Sequence, residues 1–182
     1  MSEAKIPVIK MLERKKAKRK RIKPTIEEVV SNLPDYEVKT NILDFIAYLK
    51  KNKMHPIQAS MNSWKITRKA CVVCYLRVNL EAGTVQVQPI LNEYRHDSLS
   101  DELKEIVWKN KKGACGTRCH NCSYKLKTIF GKEYKDACGN VVSFINPGIE
   151  EIECIKELLE LRKSVIRNGK LMPLMPRNFG LS

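Results

Sequence analysis

The amino-acid sequence predicts an α+β fold: a small, mostly antiparallel sheet with helices packed on one face, plus a cysteine-rich metal-binding insert. Three observations lead there. The neighbouring segments "CVVCYLRVN" and "TVQVQPI" alternate apolar and polar residues with a period of two. The segments on either side repeat apolar residues at helical spacing. Between the later elements, "GACGTRCHNC" places Cys115, Cys119 and Cys122 within eight positions. With 182 residues, one domain is expected over residues 25–166, with the insert at 113–140, a basic disordered tail at 1–24 and a C-terminal tail at 167–182.

The elements follow in order. Residues 1–24 hold ten lysines and arginines against two glutamates, so +8 of the chain's net +14 resides there. "ERKKAKRKRIKP" has no apolar face to bury and is expected to lack fixed structure. Thr25 and Glu28 are spaced as a capping box for a helix over about 26–33, which Pro34 closes. Ile42, Phe45, Ile46 and Leu49 mark a second helix over about 39–51, and Lys50, Lys51 and Lys53 sit where the helix dipole favours cations. A shorter strand is expected around "WKIT". In "CVVCYLRVN", Val72, Cys74, Leu76 and Val78 are expected on one face, and Cys71, Val73, Tyr75 and Arg77 on the other. "LEAG" supplies a hairpin turn at Gly83 into "TVQVQPI". Pro89 has no amide to donate, so that strand lies at an edge or stops there. Ser100 caps a third helix in "SLSDELKEIVWKN", with Leu99, Leu103, Ile106 and Val107 as its buried stripe. "VVSFI" reads as a further strand. "NPG" then turns the chain into a last helix over about 148–166, with Ile152, Ile155, Leu158, Leu159 and Val165 on its apolar side.

Several function classes are set aside. The longest apolar run, "ACVVCYL", is far short of the roughly 20 residues of a membrane span. The N-terminus has no apolar stretch of the kind a secretory signal needs, so a reducing, cytoplasmic setting is expected. There is no phosphate-cradling glycine loop, nucleophile elbow or HExxH motif, and a non-enzymatic role is expected. His55, His96 and His120 are scattered and expected to face solvent, and Trp64 and Trp108 are expected in the core.

The cysteine pattern is C-x3-C-x2-C, then fifteen residues, then Cys138. Closely spaced thiols with one distant partner suit a tetrahedral zinc held by Cys115, Cys119, Cys122 and Cys138. His120 is an alternative fourth ligand, but Gly139 favours Cys138 because it permits a tight turn. Residues 113–140 contain few apolar side chains, chiefly Leu126, Ile129 and Phe130, so an organiser other than a private core is expected. A structural zinc contributes roughly 10–16 kcal/mol in small peptides, comparable to the about 5–15 kcal/mol that holds a whole domain. Lys111, Lys112, Arg118, Lys125 and Lys127 would offset the −2 charge that four thiolates leave around a divalent ion. The three-cysteine spacing also matches the cluster motif of radical S-adenosylmethionine enzymes, but only 60 residues follow Cys122, too few for their barrel. An iron–sulfur cluster on the same four thiols is the alternative. A further alternative is a thiol-dependent enzyme using Cys119 or Cys122 as a nucleophile of low pKa. Cys71, Cys74 and Cys154 are expected as small buried hydrophobes.

The tail residues Arg14, Lys15, Lys16, Lys18, Arg19, Lys20 and Arg21 are expected to contact nucleic acid through phosphates, or else an acidic protein. In a nucleated cell the run would also serve as a nuclear-localisation sequence.

"DYEVKTNILDFIAYLKKN" leading into "NSWKITRKACVVCYLRVN" and "GTVQVQPI", with "FINPGIEEIECIKELLELRK" at the far end, resembles the YdhG-like domain of unknown function. This is a small bacterial α+β family related in shape to frataxin. The resemblance covers about residues 36–90 and the last helix, and implies a helix-flanked antiparallel sheet. One branch of that family is regarded as intracellular iron chaperones, so the resemblance also implies iron handling as an alternative role. Frataxin-like iron sites use acidic surfaces, whereas this chain is basic and adds a cysteine insert, and no site residues carry across.

Overall fold

The computed structural model describes residues 23–90, 99–111, 127–134 and 142–167. Thr25 starts helix α1 (Ile26–Ser31) through the expected capping box: its hydroxyl accepts from the Glu28 amide, and the Glu28 carboxylate accepts from the Thr25 amide at 2.8 Å. Helix α2 (Tyr36–Lys51) begins earlier than the apolar period suggests, because Asp35 accepts from the Val38 amide at 3.0 Å and caps it there. Val38, Ile42, Phe45, Ile46 and Leu49 form its buried stripe.

Four strands follow without an intervening helix: β1 (His55–Ser60), β2 (Ser63–Arg68), β3 (Cys71–Asn79) and β4 (Thr84–Pro89). With β7 (Phe144–Ile145) they form one sheet in the order β1-β2-β3-β4-β7, and every pairing is antiparallel. Pro89 ends β4 rather than marking an edge, since β7 pairs along β4's outer side at Gln86 and Val87. One edge is β1, which carries Pro56 where the missing donor is harmless. The other is the two-residue β7.

A β-bulge corrects the expected faces of β3. Its register with β2 passes from Ile66 opposite Cys74 to Thr67 opposite Val72, leaving Val73 as the extra residue. Strict alternation therefore holds from Cys74 onward but breaks before it, and Cys71, Val73 and Cys74 are all buried.

Helix α3 (Asp101–Lys109) is capped by Ser100 as expected, and helix α4 (Ile149–Arg167) packs across β3 and β4 with α2 and α3 beside it. α4 buries Ile152, Cys154, Ile155, Leu158, Leu159 and Ile166, with Arg162 in the same stripe at 2 % exposure. Val165, expected there, is only half-buried: positions 155, 158, 159, 162 and 166 keep the helical period, and 165 falls to its flank. No described helix is long and apolar enough to cross a membrane.

A second, two-stranded sheet joins β5 (Lys127–Ile129) to β6 (Lys132–Tyr134). Its turn residues Phe130 and Gly131 have φ of 45° and 84°, the paired positive angles that match hairpin twist. Ile129 and Phe130 are buried in the main core. Residues 113–140 thus draw on the domain's core rather than a private one, through two of their three main apolar side chains.

Candidate functional site

The hairpin β5–β6 is docked on the end of α3. Trp108 Nε1 donates to the Ile129 carbonyl at 2.8 Å, and Lys132 Nζ lies 4.6 Å from the centre of the Trp108 ring. Lys111 Nζ lies 4.2 Å from the centre of the Tyr134 ring. Beyond α3, Lys111 pairs with Val142 in an antiparallel bridge, and the Ser143 amide donates to the Asn110 carbonyl at 2.9 Å. Residues 112–126 and 135–141 therefore both run between the same two paired points, Lys111 with Val142 and Lys127 with Tyr134.

The expected zinc ligands Cys115, Cys119, Cys122 and Cys138 lie in those two segments, outside the described residues, together with His120. Also outside are His96 and the tail residues Arg14, Lys15, Lys16, Lys18, Arg19, Lys20 and Arg21. Among the described residues, no three or more His, Cys, Asp or Glu side chains gather in a metal-binding group. Cys71, Cys74 and Cys154 are free and buried, as expected. Burial pushes the Cys74 thiol far above the ordinary range. Burial, with Glu151 and Glu157 nearby, pushes Cys154 up to about 12. Trp64 is in the core, and His55 is exposed at the start of β1.

The sheet presents a second feature. Directly opposed residues of antiparallel strands share a face. Trp64, Leu76, Val87 and Phe144 form one such row, all buried beneath the helices. The opposite face carries Ile57, Lys65, Tyr75 and Gln88 in one row, and Ser63, Arg77, Gln86 and Ile145 in the next. Lys65 and Arg77 are exposed, Tyr75 is half-buried and Gln88 is covered. Ile57 and Ile145 keep 53 % and 60 % of their surface in water, and Met61 at the adjoining turn keeps 87 %. A groove of about 500 Å³ opens at this end, lined by Ser63, Arg77, Asn79, Thr84 and Gln86, with Met61 and Ile145 at its rim. No strand of this five-stranded sheet contains an Asp or Glu. Sequence reasoning put Tyr75 and Arg77 on one face but drew no function from them; the missing carboxylates were the available signal.

Compared with protein-family models, curated proteins and solved structures, the chain finds no significant match.

Proposed function

We propose that this protein is a non-enzymatic, polyanion-binding domain. In this reading Cys115, Cys119, Cys122 and Cys138 hold one structural zinc, and Arg14, Lys15, Lys16, Lys18, Arg19, Lys20 and Arg21 contact nucleic acid. The observation that carries the zinc is the pairing of Lys111 with Val142. Cys115 lies four residues after Lys111, and Cys138 lies four residues before Val142 and four after Tyr134. Four residues span up to about 14 Å, so a site beside this stem would be open to both the distant thiol and the cluster, which supports the reading. Four sulfur ligands complete the coordination of zinc and leave no position for a reactive water, which supports a structural role. The net charge of +14 supports a polyanionic partner.

Two measurements on the full-length, untagged protein test this. Elemental analysis should find about one zinc per chain in a colourless solution. A brown protein with iron and sulfide would replace zinc with the iron–sulfur alternative. Duplex DNA affinity should fall steeply with salt, with a slope in log K against log salt of up to about −6 if all seven tail cations engage phosphates. Changing those seven residues to Gln should remove most of that slope, and binding that survives the change would remove the tail from the account.

A further inference from the structure

We propose that the solvent-facing side of the sheet around Tyr75 and Arg77 is a platform for single-stranded nucleic acid. The inference rests on the polyanion reading above and adds to it a surface and a substrate class. Lys65 stands directly opposite Tyr75, and Arg77 lies two residues along the same strand on the same face. The face thus offers a half-exposed aromatic ring between two exposed cations. Arg77 continues into the groove, where Asn79, Thr84 and Gln86 supply amide and hydroxyl groups able to bond phosphate oxygens or base edges. Charge complementarity selects the occupant. With no carboxylate on any of the five strands, nothing in these rows repels a phosphate backbone. An acidic peptide would use the cations alone, whereas an aromatic ring on the same face as exposed Ile57 and Ile145, each two strands away from it, suits the flat apolar face of a base. That face is available only when the base is unstacked, so the platform discriminates single strands from duplexes.

The test compares full-length wild type with Tyr75→Leu, Tyr75→Phe and Arg77→Gln. Each binds a fluorescent oligothymidylate or a hairpin duplex of similar charge, followed by anisotropy at low salt. The same four chains are repeated with the seven tail cations changed to Gln. Tyr75→Leu should weaken single-strand binding about ten-fold while Tyr75→Phe keeps it. Arg77→Gln should weaken it and flatten the salt dependence by about 0.7 in log K against log salt. Duplex affinity should not change in any of the three. Arg77 is exposed, so its variant reports on the surface even where the Tyr75→Leu chain loses stability. Single-strand binding untouched by both Tyr75→Leu and Arg77→Gln overturns the proposal, as does an equal loss for duplex. So does wild type preferring polyglutamate, or pairing with a second copy through this face and releasing it on Ile145→Asp. The tail separates cleanly: if its seven substitutions change nothing while Tyr75→Leu still acts, the tail reading fails and the platform stands.

Discussion

Tyr48 donates to Glu160 at 2.6 Å and so ties α2 to α4. Lys163 donates to the same carboxylate and to Asn52 Oδ1 at 2.8 Å. Burial alone would raise the Glu160 carboxyl. Hydrogen bonds from Lys163 and Tyr48, with the charges of Lys163 and Arg68, outweigh it and hold the group below its ordinary value. A carboxyl depressed in the folded state stabilises fully above the unfolded value of about 4.3, and that contribution fades as pH falls through the lower folded value. Urea unfolding of Glu160→Gln should therefore show lower stability than wild type at about pH 6 and a shallower decline towards about pH 3. A variant that declines as steeply as wild type would remove Glu160 from the acid response. The buried cysteines give a second prediction at this scale. With the Cys74 and Cys154 thiols pushed up by burial, neither forms the reactive thiolate near neutral pH. Mass spectrometry after iodoacetamide treatment of the native protein should find both unmodified, and modified once urea unfolds the chain. Rapid labelling of either in the native state would contradict their burial.

At the scale of elements, the legible parts were those whose local chemistry agrees with their packing. The capping box at Thr25, the Ser100 cap, the stripe of α2 and the alternation of β4 all formed where the residues indicate. The misses have physical causes. β1 is an exposed edge strand with a proline and little apolar alternation, so it carries no period-two signal. The β2–β3 turn places Lys69 and Ala70 at φ of 46° and 62° without the glycine or asparagine that normally announces such a turn. The bulge at Val73 is set by pairing with β2, which no local pattern in β3 records. The hairpin β5–β6 is three residues a side and gains its support from Trp108, 21 positions away from its Ile129 partner. Trp108→Phe deletes that donor and weakens the seat of Lys132 over the ring, so it should lower urea stability by about 1 kcal/mol. Hydrogen exchange at the Lys127–Tyr134 pair should accelerate in the same variant. Unchanged exchange would mean the hairpin is held by other contacts.

At the scale of the molecule, one apolar core among the described residues gathers α1, the sheet, α2, α4, part of α3 and the tip of β5–β6. Its α+β character was readable because the two hydrophobic periods occur in separate stretches, and antiparallel strands need only short turns. The candidate centre was legible as spacing alone. C-x3-C-x2-C and a distant Cys138 name a ligand set, but nothing in those residues says that Lys111, before the insert, pairs with Val142, after it. The basic charge was equally plain as a sum, while its distribution on the sheet face depends on cross-strand partners that only folding brings side by side. Core and insert are thus joined beside the Lys111–Val142 pair and through Ile129 and Phe130, and a metal bound by the insert would stabilise the segment and the domain together. X-ray absorption at the zinc edge of the full-length protein tests that claim most directly. It should show four sulfur neighbours at about 2.3 Å, falling to three with one lighter atom in Cys138→Ser. A shell of mainly nitrogen or oxygen in the wild type, or an unchanged four-sulfur shell in the variant, would contradict it.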